Sequence, residues 1–270
     1  SISMDDMNAP VNAARLASVD ESISLAKDLV NYFYLPDLLA IGHLYVKAGM
    51  VDGGGLAKKR VLAYGGYPDD TYTGIKDGDF FKKSLVRANG VVENFELGWE
   101  KATFIALEGE DLMNPDFLSE EINHSWFEYP NGETSLHPTE GVTKPAFTGP
   151  KTGTNKKWEF LDEEKKYSWI KSPTFKGKAC EVGKYIVVYV KVKQGIIKDP
   201  TWAEKMMVDQ IDAVSKVLGV PAHVWMCSTV GRTAARGLDA QVAANLSQYF
   251  YNRLIENIKN GDTVVADTRK

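Results

Sequence analysis

Apolar residues recur at three- and four-residue steps near both ends of this 270-residue chain, while the stretch between holds short apolar runs broken by Gly, Pro and Asp. That change of period limits the fold more than any single motif does, because a helical face needs the longer step and a half-buried strand needs alternation. Val19, Ile23, Ala26, Val30 and Phe33 fall on one helical face. Pro36 is expected to interrupt there and to open a second helix through Leu39, His43 and Val46. Gly49 should close that helix, with Gly53-Gly54-Gly55 as a flexible joint. Near the other end, Asp199-Pro200 marks a helix start; Met207, Ile211, Val214 and Leu218 share a face, and Gly219 and Pro221 stop it. A longer amphipathic helix is expected from about Thr233 through Leu238, Val242, Leu246, Tyr249 or Phe250, Leu254 and Ile258, capped by Gly261. Between them, runs such as Val61-Leu62-Ala63-Tyr64, separated by GGYPDD, IKDGD, YPNGE and FTGPKTG, suit short strands and ordered loops. The fold class is therefore α+β, mainly α: one domain with residues 1–50 helical, 51–198 loop-rich with short strands, and 199–270 helical.

The formal charge of -4 and pI near 5.7 argue against a nucleic-acid binder, which needs a basic face. The two cysteines, Cys180 and Cys227, are far apart and form no C-x-x-C, so neither a disulfide scaffold nor a zinc or cluster spacing is present. The acidic, polar start SISMDDMNAPVN is no signal peptide, and the uncharged apolar run Leu38 to Val46 is too short to cross a bilayer. The chain is read as an interior piece of a longer polypeptide; taken alone, it is expected to expose apolar helix faces.

Chemistry-bearing residues are dispersed. His43, His124, His137 and His223 form no H-x-x-x-H or H-E-x-x-H pattern. Asp69-Asp70 and Asp162-Glu163-Glu164 read as solvated faces, whereas Glu120-Glu121 precedes Ile122 and Trp126-Phe127, where a carboxylate can be partly buried. GGGLAKKR and GPKTGTNKK lack phosphate-loop order. In GRTAARGLDAQ, Arg232 and Arg236 stand one helical turn apart and can grip carboxylates or remain an ordinary surface pair. Residue chemistry by itself gives a soluble α+β domain without a self-contained active site.

Five segments together resemble the large subunit of nickel–iron hydrogenases: YLPDLLAIGHLYV (34–46), NPDFLSEEINHSWF (114–127), LHPTEGVTKP (136–145), YSWIKSPTFKGKACEVG (167–183) and STVGRTAARGLDAQ (228–241). The run DPTWAEKMMVDQIDAVSKVLGVPAHVWM is most similar to the membrane-bound uptake branch. The resemblance implies the helical-bundle core of such a subunit. It implies a nickel–iron centre with cyanide and carbon monoxide on the iron, an iron–sulfur small subunit as partner, and oxidation of dihydrogen. Electrons would pass on to a membrane cytochrome or quinone, with the enzyme membrane-associated at the periplasmic face. Two metal-binding motifs of the family, R-x-C-G-x-C and D-P-C-x-x-C, do not occur here, so no catalytic residue or direct metal ligand is assigned and the segment alone is expected to be inactive. By the same resemblance, Glu120 and Lys171 belong to the water-mediated surroundings of a magnesium-type site, and Trp169, Pro173, Glu181, Gly183, Gly231, Arg232 and Arg236 are family-marking framework. After Gly183 three residues of the family pattern are missing, and Cys227 stands where the family commonly has proline. The resemblance predicts helix over KYIVVYVKVK despite its β-rich composition. A metal-free relative acting as scaffold or partner-binding domain is the alternative.

Overall fold

The computed structural model describes residues 12–51, 55–56, 58–68, 84–149 and 165–262. The N-terminal periodicity folds as one rod. Helix α1 (Ala13–Asp28) is capped by Asn12, whose Oδ1 accepts from the Arg15 N–H at 3.0 Å. It runs through a π-helical turn, Leu29–Tyr34, directly into α2 (Leu35–Lys47). The break expected at Pro36 is absent. Proline lacks an N–H and crowds the preceding turn, and the wider π turn, in which the Leu35 N–H reaches back to the Val30 carbonyl, takes up the misfit just ahead of it. Gly49 closes α2 at φ 69°, with the Met50 N–H donating to the Tyr45 carbonyl at 2.9 Å. Gly53 and Gly54 of the expected joint lie outside the described residues.

The middle contains β1 (Arg60–Pro68), β2 (Ser84–Glu93), β3 (Thr103–Ile105), a short helix α3 (Gly109–Leu112), β4 (Leu118–Glu121), β5 (Phe127–Glu128), β6 (Ser135–Leu136), β7 (Lys144–Pro145), β8 (Ser172–Phe175), β9 (Lys178–Ala179) and β10 (Glu181–Val182). One sheet has the order β10-β1-β2-β3, with β10 parallel to β1 and the other pairs antiparallel; a second has the order β6-β4-β8-β9; β5 and β7 pair separately. The GGYP segment, read as a separator, instead continues β1 past a register shift between Tyr64 and Gly66.

Side chains on the first sheet alternate between two cores, as a pleated strand requires. Val61, Ala63, Val86, Ala88 and Val92 pack with the C-terminal helices, while Leu62 and Val91 pack with Leu112, Leu118, Phe175 and Cys180. The helices are α4 (Lys184–Lys193), α5 (Trp202–Leu218), α6 (Ala222–Trp225) and α7 (Thr229–Lys259). The expected helix after Gly183 is α4, and Tyr185 to Lys191 are all buried. A helix covered on every side needs no single apolar stripe, so packing overrides the strand propensity of its valines.

Two polar devices fix the helical layer. Thr201 and Glu204 form a capping box at the start of α5. Glu204 is fully buried, and its carboxylate also accepts from the Arg87 backbone N–H at 2.8 Å and from Arg87 Nη2 at 2.6 Å, tying α5 to β2. Helix α7 starts four residues before Thr233, because Ser228 caps it by accepting from the Gly231 N–H at 3.3 Å. The chain there doubles back tightly: a Cβ on Gly231 would lie 2.4 Å from the Met226 Cα and from the Trp225 and Met226 carbonyl oxygens. The expected face of α5 and that of α7 as far as Leu246 are inward, with Met207, Ile211, Val214, Leu218, Leu238, Val242 and Leu246 all buried, whereas Tyr249, Leu254 and Ile258 are partly buried and Phe250 is exposed. On the N-terminal rod, by contrast, Leu25, Leu29, Tyr32, Phe33, Ile41 and Leu44 are each more than half exposed. No helix of the described residues is long and apolar enough to cross a membrane.

Because the neighbours of Gly231 are backbone atoms that cannot swing away, Gly231→Ala should destabilise the protein by about 3 kcal/mol, the upper range for overpacking. Urea unfolding checks this; a midpoint unchanged from wild type would show that the α6–α7 turn relaxes freely.

Candidate functional site

Most of the framework residues meet in one cleft. A cavity of about 600 Å³ lies between β1, β10, the first turn of α4 and the N-terminal half of α7, and Glu181, Gly183, Gly231, Arg232 and Arg236 all line it. Parallel pairing of β10 with β1 sets Glu181 beside Val61 and points its carboxylate at α7. There Arg232 grips it with two donors, Nη2 to Oε1 at 2.5 Å and Nε to Oε2 at 3.1 Å. Oε1 also accepts from the Leu56 N–H at 2.8 Å. Donating to the Glu181 carboxylate holds the guanidinium pKa above its ordinary value. Of the arginine pair, then, Arg232 grips a carboxylate, whereas Arg236 is exposed and donates to the Arg232 carbonyl at 3.1 Å. A second ion pair, Lys184 to Asp239 at 2.7 Å with the Tyr67 ring over the ammonium, closes the cleft; nothing in the sequence marked it.

Glu120 and Lys171 meet in an adjoining cavity of about 410 Å³, which Pro173 and Cys180 also line. The register of β4 on β8 places Glu120 opposite Pro173, and Lys171 immediately precedes β8. Lys171 Nζ lies 3.3 Å from Glu120 Oε2 and 3.3 Å from Thr143 Oγ1, with the rings of Tyr129 and Phe127 beneath it. Burial alone would lower the Lys171 pKa, but the contacts with Tyr129 and Glu120 outweigh it and hold the group above its usual value. Tyr64, Glu181 and Val182 line both cavities, so strand β10 is the wall between them. Trp169 lines neither; it packs among Trp126, Phe127 and Phe147 and is about half exposed.

The cysteines are not poised as ligands. The Cys180 thiol donates to the Pro173 carbonyl, and burial pushes its pKa up to about 11; burial pushes that of Cys227 to about 12. Among the described residues no group of three or more His, Cys, Asp and Glu could hold a metal ion. His137, buried, is satisfied by Thr139 and the Leu112 carbonyl.

A third cavity, about 450 Å³, is lined by Lys191, which lies in a run of β-rich composition that carries no sign of a buried amine. Its amine is buried on the far side of α4 and burial brings its pKa down to about 8, against an opposing pull from Glu204.

Against known proteins, the nickel-dependent hydrogenase family model matches residues 1–270. The uptake hydrogenase large subunit of Rhizobium leguminosarum bv. viciae is 37% identical over 261 residues, 95% of this chain and 39% of that protein. The hydrogenase-1 large chain of Escherichia coli strain K12 is 34% identical over 272 residues, 100% of this chain and 42% of that protein. The reduced Ni-Fe-Se hydrogenase from D. vulgaris Hildenborough, at 19% identity, shares the fold with a TM-score of 0.54 over 90% of this chain and 41% of that one. The chain belongs to the nickel-dependent hydrogenase large-subunit family, and it spans about two fifths of the length of the curated relatives it matches.

The Lys191 pKa, lower in the fold than in the unfolded chain, makes stability rise with pH. Between about 8 and the ordinary lysine value the unfolded state holds a proton that the native state has released. The two buried thiols, raised in the fold, pull the other way over the same range. From about pH 8 to about pH 9.5 the urea midpoint of the wild type should therefore rise relative to that of Lys191→Met, which keeps the thiols and loses the amine. Parallel slopes in both proteins would contradict the assignment.

Proposed function

We propose that this chain is part of the large subunit of an uptake nickel–iron hydrogenase. In that assembly dihydrogen is oxidised and electrons leave through an iron–sulfur small subunit toward a membrane cytochrome or quinone, at the periplasmic face. The observation that carries the reading is the match over 95–100% of the chain to relatives named as uptake hydrogenase or hydrogenase-1 large subunits.

The residues present do not fit a nickel–iron centre. Soft thiolates are what nickel and low-spin iron take, and this chain has two thiols, both buried and both held protonated. No step of hydrogen chemistry is therefore assigned to these residues; any cyanide, carbon monoxide and metal ligation belongs to chain outside them. Their work is framework. Arg232 and Glu181 hold the wall between the two cavities, and Gly231 lets α7 begin close against the preceding turn.

Glu120 and Lys171 fit an outer position around a magnesium-type ion better than direct ligation. A single carboxylate with an ammonium 3.3 Å away repels a bare cation but can order metal-bound water, with the carboxylate accepting and the ammonium donating. Magnesium would supply a fixed charge and oriented waters there.

Three measurements test the reading. The purified chain should hold no stoichiometric nickel and show no hydrogen-dependent dye reduction; measurable reduction by this chain alone would overturn its assignment as framework. The complete reading frame should carry both cysteine-pair motifs, and a nickel-free complete protein would favour the metal-free scaffold. In the complete subunit, Glu120→Gln should lower magnesium content several-fold, and undiminished magnesium would remove Glu120 from that site.

A further inference from the structure

The cavity beside Lys191 serves neither of the roles above. It is bounded by β2, the end of α4 and the connection into α5. The Lys191 residue is 7% exposed, and Nζ donates to the Arg87 carbonyl at 2.5 Å and to Asn89 Oδ1 at 3.0 Å. An ammonium has three N–H groups to place; here the third has only the face of Phe104, whose centroid lies 5.3 Å away. A neutral amine has two, both satisfied, and keeps its lone pair. Burial favours that form; of the charges around the amine, Arg87 favours it and Glu204 and Glu108 oppose it. Arg87 on β2 is cationic, and the Glu204 carboxylate on α5 is occupied by Arg87 and the Thr201 N–H, while Glu108 ahead of α3 lies on the cavity wall. Lys198 and Asp199, between α4 and α5, complete that wall.

We propose that Lys191 is a modification site at which the amine takes up carbon dioxide as a carbamate. The amine is nearly enclosed, so only a small electrophile can reach it through the cavity, and carbon dioxide is small, uncharged and reactive toward free amines. The lone pair attacks the carbon; an N–C bond forms, one C–O π pair moves onto oxygen, and an amine proton leaves to water. No oxidant or further reactant is needed. The product carries one negative charge; of the cations on the cavity wall Arg87 already grips Glu204, so Lys198 is the counter-ion the proposal assigns. Burial supports the step, because a group brought down to about 8 is about a hundredfold or more richer in neutral amine at neutral pH than an ordinary lysine. Carbamate formation would exchange the amine's tie to β2 for a contact with the α4–α5 connection.

Trapping with triethyloxonium in bicarbonate at about pH 8, followed by peptide mass spectrometry of the purified protein, tests the proposal. The expected result is an ethyl carbamate at Lys191 at least tenfold above any exposed lysine, absent from Lys191→Met. Lys198→Gln should lower trapping at Lys191 several-fold while keeping the wild-type pH slope of the urea midpoint, and with it the difference from Lys191→Met, so that the loss reads on the carbamate and not on the free amine. This second variant decides the matter even if Lys191→Met does not fold. Adducts spread evenly over exposed lysines, or none at Lys191, would overturn the proposal.

Discussion

The two-donor contact between Arg232 and Glu181 fixes how the sheet edge meets the long helix, above the apolar core that Val61 and Ala63 already share with that helix. Glu181 lies on a two-residue strand at the sheet edge, and Arg232 lies in the first turn of a 31-residue helix. Such a planar pair fixes orientation as well as distance, because both guanidinium donors must face both carboxylate oxygens. The wall of the candidate site follows from that geometry, while the β4–β8 register places Glu120. With β10 held against α7, Gly183 can start α4 at once, Val182 and Tyr64 form a wall, and one cavity lies on each side of it. Each side chain of the pair keeps roughly a quarter of its surface exposed, so the contact escapes much of the desolvation penalty of a buried ion pair.

The second constraint is Glu204. A carboxylate with no exposure is tolerated only when its oxygens are filled, and Arg87 and Thr201 fill them. The result is a rigid seam between β2 and α5, against which the Ile- and Val-rich middle of α4 is buried. Lys191 is the charged residue within that buried stretch. Its amine is drawn into the seam by the Arg87 carbonyl, which explains both its burial and its weakened hold on a proton.

Much of this architecture was legible in the residues. The inward faces of α5 and α7, the closing role of Gly49 and the strand at Val61-Leu62-Ala63-Tyr64 all follow from period and punctuation. What was not legible depended on long-range partners. Pro36 does not break its helix, because a π turn upstream absorbs the missing donor; α7 begins at Thr229 because Ser228 and a sterically forced Gly231 cap it. Composition alone favoured strand for α4, and only family resemblance anticipated a helix there, since its burial on all sides is supplied by residues far away in sequence. In the site, resemblance singled out Glu181 and Arg232 without giving their contact, and Glu120 and Lys171 as one network, but gave no sign of Lys184–Asp239 or of Lys191.

The central claim is that the Arg232–Glu181 contact carries the wall on which both cavities depend. A double-mutant cycle on urea unfolding, with Glu181→Gln, Arg232→Gln and the pair, measures it most directly. A favourable coupling of about 1 kcal/mol or more is expected for a two-donor, half-shielded pair. Additive single effects, with no coupling between the two positions, would contradict the account.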